Sequence, residues 1–103
     1  MTNVLQLILN IARRKLAVSI LIALQEGPQR YSRLLHAVSR TSPGVVHART
    51  LTDNLTFLQD EGLVEHHHDP EAADYRLTQA GSDLVDLFGY LGRWDEEHRN
   101  DDE

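Results

Sequence analysis

Between Val46 and Val64 the chain alternates dry and wet positions at helical spacing. At about 100° per residue, Leu51, Leu55 and Leu58 fall within about 60° of one another. Arg49, Thr52, Asp53 and Thr56 then occupy the opposite face. Gly62 follows as a left-handed stop, and Leu63-Val64-Glu65 restarts as a strand. A helix with an apolar back, a polar front and a strand behind it has the layout of a recognition helix and wing. An ordinary amphipathic helix carries the same pattern, so this stretch alone leaves both readings open.

The rest of the pattern narrows them. Asn3 can cap a helix over Val4–Ala12 that is apolar nearly all round, which predicts burial on more than one side, with a second subunit as the cover. A second helix, about Arg14 to Gln25, offers Leu16, Ile20, Leu21 and Leu24 to a core and stops at Gly27-Pro28. Ser32 stands as the N-cap of a third helix reaching about Val38, with Leu34, Leu35 and Val38 on its dry side. Pro43-Gly44 marks a turn. Two short helices joined by it, the second with the polar front, form a helix-turn-helix.

Leu63 to His68 and Tyr75 to Leu77 can pair as a hairpin whose tip, Asp69 to Asp74, is the wing. Thr78 can cap a last helix in which Leu84, Leu87, Phe88, Leu91 and Trp94 recur at three- and four-residue steps. Within it, Gly89 and Gly92 either admit another helix closely or weaken this one, by roughly a kcal/mol each. Nothing apolar ties down Asp95 to Glu103, predicting a frayed or disordered end. The expected architecture is mainly α with a small β-hairpin wing: a single winged helix-turn-helix domain over residues 1–98 and an acidic tail over 99–103. The terminal helices would dimerise it, through Val4, Leu5, Leu7, Ile8, Ile11, Leu84, Leu87, Phe88, Leu91 and Trp94.

Composition changes this picture little, and charge changes it more. The 103 residues suit one domain, and the absence of cysteine excludes disulfides, thiolate metal sites and thiol switches. No apolar run approaches a membrane span; VLQLILNIA is followed, not preceded, by charge and lacks a cleavage site. A cytoplasmic protein with no membrane partner is expected. Nine arginines to one lysine suggest a GC-rich bacterial source. The net charge of −6 argues against nucleic acid only until it is divided: residues 1–58 carry +5 and residues 59–103 carry −11. Phosphate affinity follows the local basic footprint, so the first half can face DNA and the second half should face away.

Arg49 and Thr52 are the leading base-edge candidates, since an arginine fork matches guanine and a threonine offers hydroxyl and methyl. His47, Asp53 and Thr56 complete that set, Asp53 helping only by accepting from a cytosine amine. Arg30, Arg33 and Arg40 are phosphate candidates, which position without specifying; Arg30 serves equally as an ion-pair partner. In His66-His67-His68, alternation along a strand puts His66 and His68 on one face and His67 on the other. That pair suits phosphate contact or plain exposure; without cysteine and with at most two converging imidazoles, no metal is expected. Phe57 falls on neither face of the helix and stands out as an exposed aromatic in a monomer, with packing against a terminal helix as the alternative. No catalytic constellation or cofactor motif is present, so no enzyme activity is expected.

The ordered motifs resemble those of the HxlR-type winged-helix transcriptional regulators, relatives of the MarR group. Gly27-Pro28-Gln29-Arg30-Tyr31-Ser32-Arg33-Leu34 is similar to G-P-x-R-F-x-E-L, and Leu51-Thr52-Asp53-Asn54-Leu55 to L-T-x-R-L. Glu61-Gly62-Leu63-Val64 is similar to D-G-L-V, and Tyr75-Arg76-Leu77-Thr78-Gln79-Ala80-Gly81 to Y-x-L-T-x-x-G, with Trp94 near the end; the match covers roughly residues 14–98. The resemblance implies a bacterial homodimeric regulator that binds double-stranded DNA through a helix at about 47–60, with a small-molecule effector left open. Four departures matter. The frequent N-terminal cysteine is missing, the turn at Pro43-Gly44 is about one residue longer, His47 replaces a Ser or Thr cap, and the wing tip has acids and no arginine. These keep a second reading in play, a winged-helix module turned to protein contact.

Overall fold

The computed structural model describes residues 3–42 and 44–99; Pro43, the residue behind half of the expected turn signal, lies outside them. Five helices and a hairpin follow in order: α1 (Val4–Ala12), α2 (Lys15–Leu24), α3 (Tyr31–Thr41), α4 (Ala48–Asp60), β1 (Val64–His67), β2 (Asp74–Leu77) and α5 (Gln79–Arg99). The mainly α chain with an antiparallel hairpin has the winged helix-turn-helix architecture expected from its pattern. Among the described residues, no helix is long and apolar enough to cross a membrane.

The core joins α2, α3 and α4 through Ala17, Ile20, Leu21, Leu24, Leu34, Val38, Leu51, Leu55 and Leu58, and closes with Leu63, Val64 and Val85. Ile11 is the exception to the expected dimer surface. At 1% exposure it belongs to this core and is not available to a partner. Elsewhere on α1, Leu7 packs against the core while Val4, Leu5 and Leu9 are exposed.

One boundary differs from expectation for a physical reason. Helix α3 starts at Tyr31 with Arg30 as its N-cap, not at Ser32, and continues to Thr41. Gln29 is held just before it by paired backbone bonds with Tyr75, 3.0 and 2.8 Å. That bridge fixes Gln29 beside β2, and the carbonyl of Arg30 accepts the first helical bond from Leu34 at 2.9 Å. Ser32 is therefore inside the first turn.

The α4–β1 junction carries the strongest local signature. Gly62 has φ 76°, a value that costs a residue with a Cβ. Around it the Leu63 amide donates to Leu58 and the Gly62 amide to Gln59, both at 3.0 Å. This is a Schellman stop, and its accompanying apolar contact is supplied by buried Leu58 and Leu63. Thr78 then ties α5 to the same turn: its hydroxyl donates to the Gly62 carbonyl at 2.6 Å and accepts from the Gly81 amide at 3.1 Å. A Cβ at Gly81 would stand 2.1 Å from the Leu63 carbonyl oxygen. The T-x-x-G spacing thus serves a backbone-to-backbone approach.

The expected frayed end is helical through Arg99, where Trp94 stacks on His98 and Arg99 pairs with Asp95. Residues 100–103 lie outside the described part.

Candidate nucleic-acid interface

Helix α4 is oriented by its back. Leu51, Leu55 and Leu58 are 0–1% exposed, so Arg49, Thr52, Asp53 and Thr56 are turned outward and all four are exposed. His47 is the N-cap by backbone geometry, with no hydrogen bond from its ring to the helix. Its exposed imidazole remains free to meet a ligand. Asn54, where the resembled motif has arginine, is buried; its amide donates to the Thr50 carbonyl at 2.9 Å and its Oδ1 has no partner.

Thr52 is less free than its exposure suggests. The Tyr31 hydroxyl donates to the Ala48 carbonyl at 2.8 Å and lies 3.1 Å from Thr52 Oγ1. A phenol has one proton. With it directed at Ala48, Thr52 must donate to Tyr31, leaving the threonine its lone pairs and methyl group for a base edge. Tyr31 is a positioning residue that the sequence reading missed. Its only signal was a hydroxyl at a position where the resembled motif has phenylalanine.

Phe57 is half-buried rather than exposed, and Arg14 lies over its ring, 4.4 Å from the guanidinium carbon to the centroid. This cation–π contact joins α4 to the start of α2 and occupies one of the seven basic residues of the first half.

The phosphate candidates divide into two places. Arg30, Arg33 and Arg40 line a cleft of about 860 Å³ between α2 and α3, together with Ile22, Ala23, Glu26, His36 and Ala37. No residue of α4 lines it. Among the described residues no acid pairs with these arginines, so the ion-pair role open to Arg30 is not realised.

The other candidates are on the hairpin. His66 stacks on Tyr75 at 4.1 Å, with the His68 ring 3.9 Å away, while His67 faces the other way and meets Glu65 at 3.0 Å. Strand alternation accounts for the division. Burial, then the neighbouring His68, lowers the His66 pKa below that of a free imidazole, which makes His66 a weaker phosphate contact than a free histidine. Arg76 holds Asp74 with a two-point fork, 3.0 and 2.9 Å, and that bond keeps the Asp74 carboxyl below the usual carboxylate range. Among the described residues no three His, Asp or Glu side chains converge on a metal site.

The expected dimer residues also divide. Val4, Leu5, Leu87, Leu91 and Trp94 are exposed; Leu7, Ile8, Leu84 and Phe88 are half-buried. Leu9 and Tyr90, absent from the expected set, are more than half exposed. Nothing lies within 4 Å of a Cβ built at Gly92, and only an arginine side chain approaches Gly89, so no helix of the same chain uses their small size.

The HxlR-like helix-turn-helix family model matches residues 11–103. No curated protein sequence matches. Among solved structures, the reduced form of the transcriptional regulator YodB from Bacillus subtilis superposes with a TM-score of 0.76 at 22% identity, over 95% of this chain and 94% of YodB. A MarR-family protein from Enterococcus faecalis gives 0.78 at 25% identity, over 99% and 93% of the two chains. The regulator-like protein ytfH from Salmonella typhimurium gives 0.61 at 28%, over 84% and 76%.

Proposed function

Since the chain belongs to the HxlR-like helix-turn-helix family and is a transcriptional regulator of that type rather than an enzyme, we propose that it acts as a homodimer reading a pseudo-palindromic operator through α4. One observation carries the reading. The apolar back of α4 is fully buried while Arg49, Thr52, Asp53 and Thr56 project from its front. Arg49 is assigned the guanine-type contact and Thr52 a methyl or acceptor contact, with His47 and Thr56 at the margins. Asp53 tolerates only an amine donor.

Two copies of α4 in successive major grooves stand roughly 34 Å apart. The apolar faces of α1 and α5 supply the means. Leu5 is 66% exposed and Trp94 47%, a large apolar display for an isolated chain. The radius of gyration, 14.8 Å, exceeds the roughly 13 Å of a compact chain this long, as expected of helices extending toward a partner. The experiment is a selection over random duplexes at moderate salt, which should enrich an inverted repeat. No enriched motif sinks the reading.

Protein contact is the second reading, favoured by the exposed acids Asp69 and Glu71 at the wing tip. Weak, salt-insensitive duplex binding alongside capture of a protein through the α4 face would select it.

A further inference from the structure

The arginine cleft is not explained by DNA reading alone. It is set between α2 and α3, is lined by no residue of α4, and has an apolar side. Along α3, Arg30 to Arg40 spans about 15 Å, with Arg33, His36 and Ala37 in between. Facing them, α2 contributes Ser19, Ala23 and Ile22, the last 53% exposed. Two carboxylates share the lining, Glu26 and Asp74, and Asp74 is already satisfied by Arg76. Glu26 is thus the one uncommitted acid opposing three guanidinium groups among the described residues. A phosphodiester would use the arginines and leave Ile22, Ala23 and Ala37 idle. A small organic anion uses both.

We propose that this cleft is a binding site for a small organic anion with an apolar body, its carboxylate or sulfonate forked by Arg33 or Arg40 and its hydrocarbon laid on Ile22, Ala23 and Ala37. The volume lies within the range of small-molecule sites. The cleft wall also reaches the proposed DNA face. Arg30 stands between Gln29, bonded to the wing strand at Tyr75, and Tyr31, bonded to Ala48 on α4. Any effect of occupancy on DNA rests on the function proposed above; the site itself does not.

The test uses 1-naphthoate as the probe, titrated into the full ¹⁵N-labelled chain and followed by amide shifts. Saturable shifts confined to residues 19–41 and 72–74 are expected. Arg33→Gln and Arg40→Gln together should weaken binding about tenfold or more, while Arg13→Gln, outside the cleft, leaves it unchanged. The same spectra report whether each variant is folded. The assignment is overturned if shifts map to the α1 and α5 faces, if uncharged 1-naphthalenemethanol binds as well, or if no saturable binding occurs in the millimolar range. It is equally overturned if the paired substitution alters only the salt dependence of duplex binding, by about one slope unit per arginine, which would give the row to DNA phosphates.

Discussion

Helices α4 and α5 both carry an apolar stripe at three- and four-residue steps, yet the protein uses the two stripes differently. Leu51, Leu55 and Leu58 of α4 vanish into the monomer core, whereas Leu87, Leu91 and Trp94 of α5 remain 43–47% exposed. Sequence periodicity cannot separate these cases, because it reports which face is dry and says nothing about what covers it. A stripe covered by its own chain fixes a helix rigidly and frees the opposite face for recognition. A stripe left open is the face that the proposed dimer would cover.

The largest expected effect tests the covered side. Leu55→Ala should cost about 2–5 kcal/mol of folding stability, independently of protein concentration, as read by urea unfolding. Leu91→Asp should instead leave the monomer fold intact and weaken association, seen in sedimentation as a shift toward monomer on dilution. A wild-type mass that stays monomeric at every concentration would end the contrast.

The junction between the two helices comes next. Gly81→Ala must displace the Leu63 carbonyl, and overpacking of that kind costs about 1–3 kcal/mol; an unchanged unfolding midpoint would show that the turn yields easily. On the front of α4, Arg49→Ala should cost about 1–3 kcal/mol at one base position and relax specificity there, measured by affinities for single-substitution duplexes. Tyr31→Phe should cost about 0.5–1.5 kcal/mol, and a double-mutant cycle with Thr52→Val should show coupling.

The smallest effect is on the wing. Because the His66 pKa is lowered in the fold, the unfolded chain binds more protons as the pH falls through the free imidazole range. The His66 contribution is therefore complete above about pH 6.5 and declines as the pH drops toward the folded value. In a His66→Asn variant that part of the acid sensitivity should disappear from the unfolding midpoint; an identical pH profile would contradict it.

Much of this was legible in advance. The extents of α1 and α4, the Gly62 stop and the Thr78 cap of α5 follow from local rules, since a cap or a left-handed turn is decided by a few neighbouring residues; the bond from Thr78 back to Gly62 joins residues far apart and does not. Phe57 was misread because its partner Arg14 is distant in sequence. Ser32 was misread because the Gln29–Tyr75 bridge, which dictates where α3 begins, joins residues far apart in the chain.

By itself, then, the sequence determined the order of helices and hairpin, the dry and wet faces of α4, the division of charge between the halves, and the family to which these belong. Periodicity, capping and charge are local properties, readable from neighbours. Only the tertiary structure decided that Ile11 faces inward, that Thr52 spends its proton on Tyr31, and that Arg30, Arg33 and Arg40 border a cleft away from α4. Each of those depends on which element packs against which, and no local pattern encodes the partner.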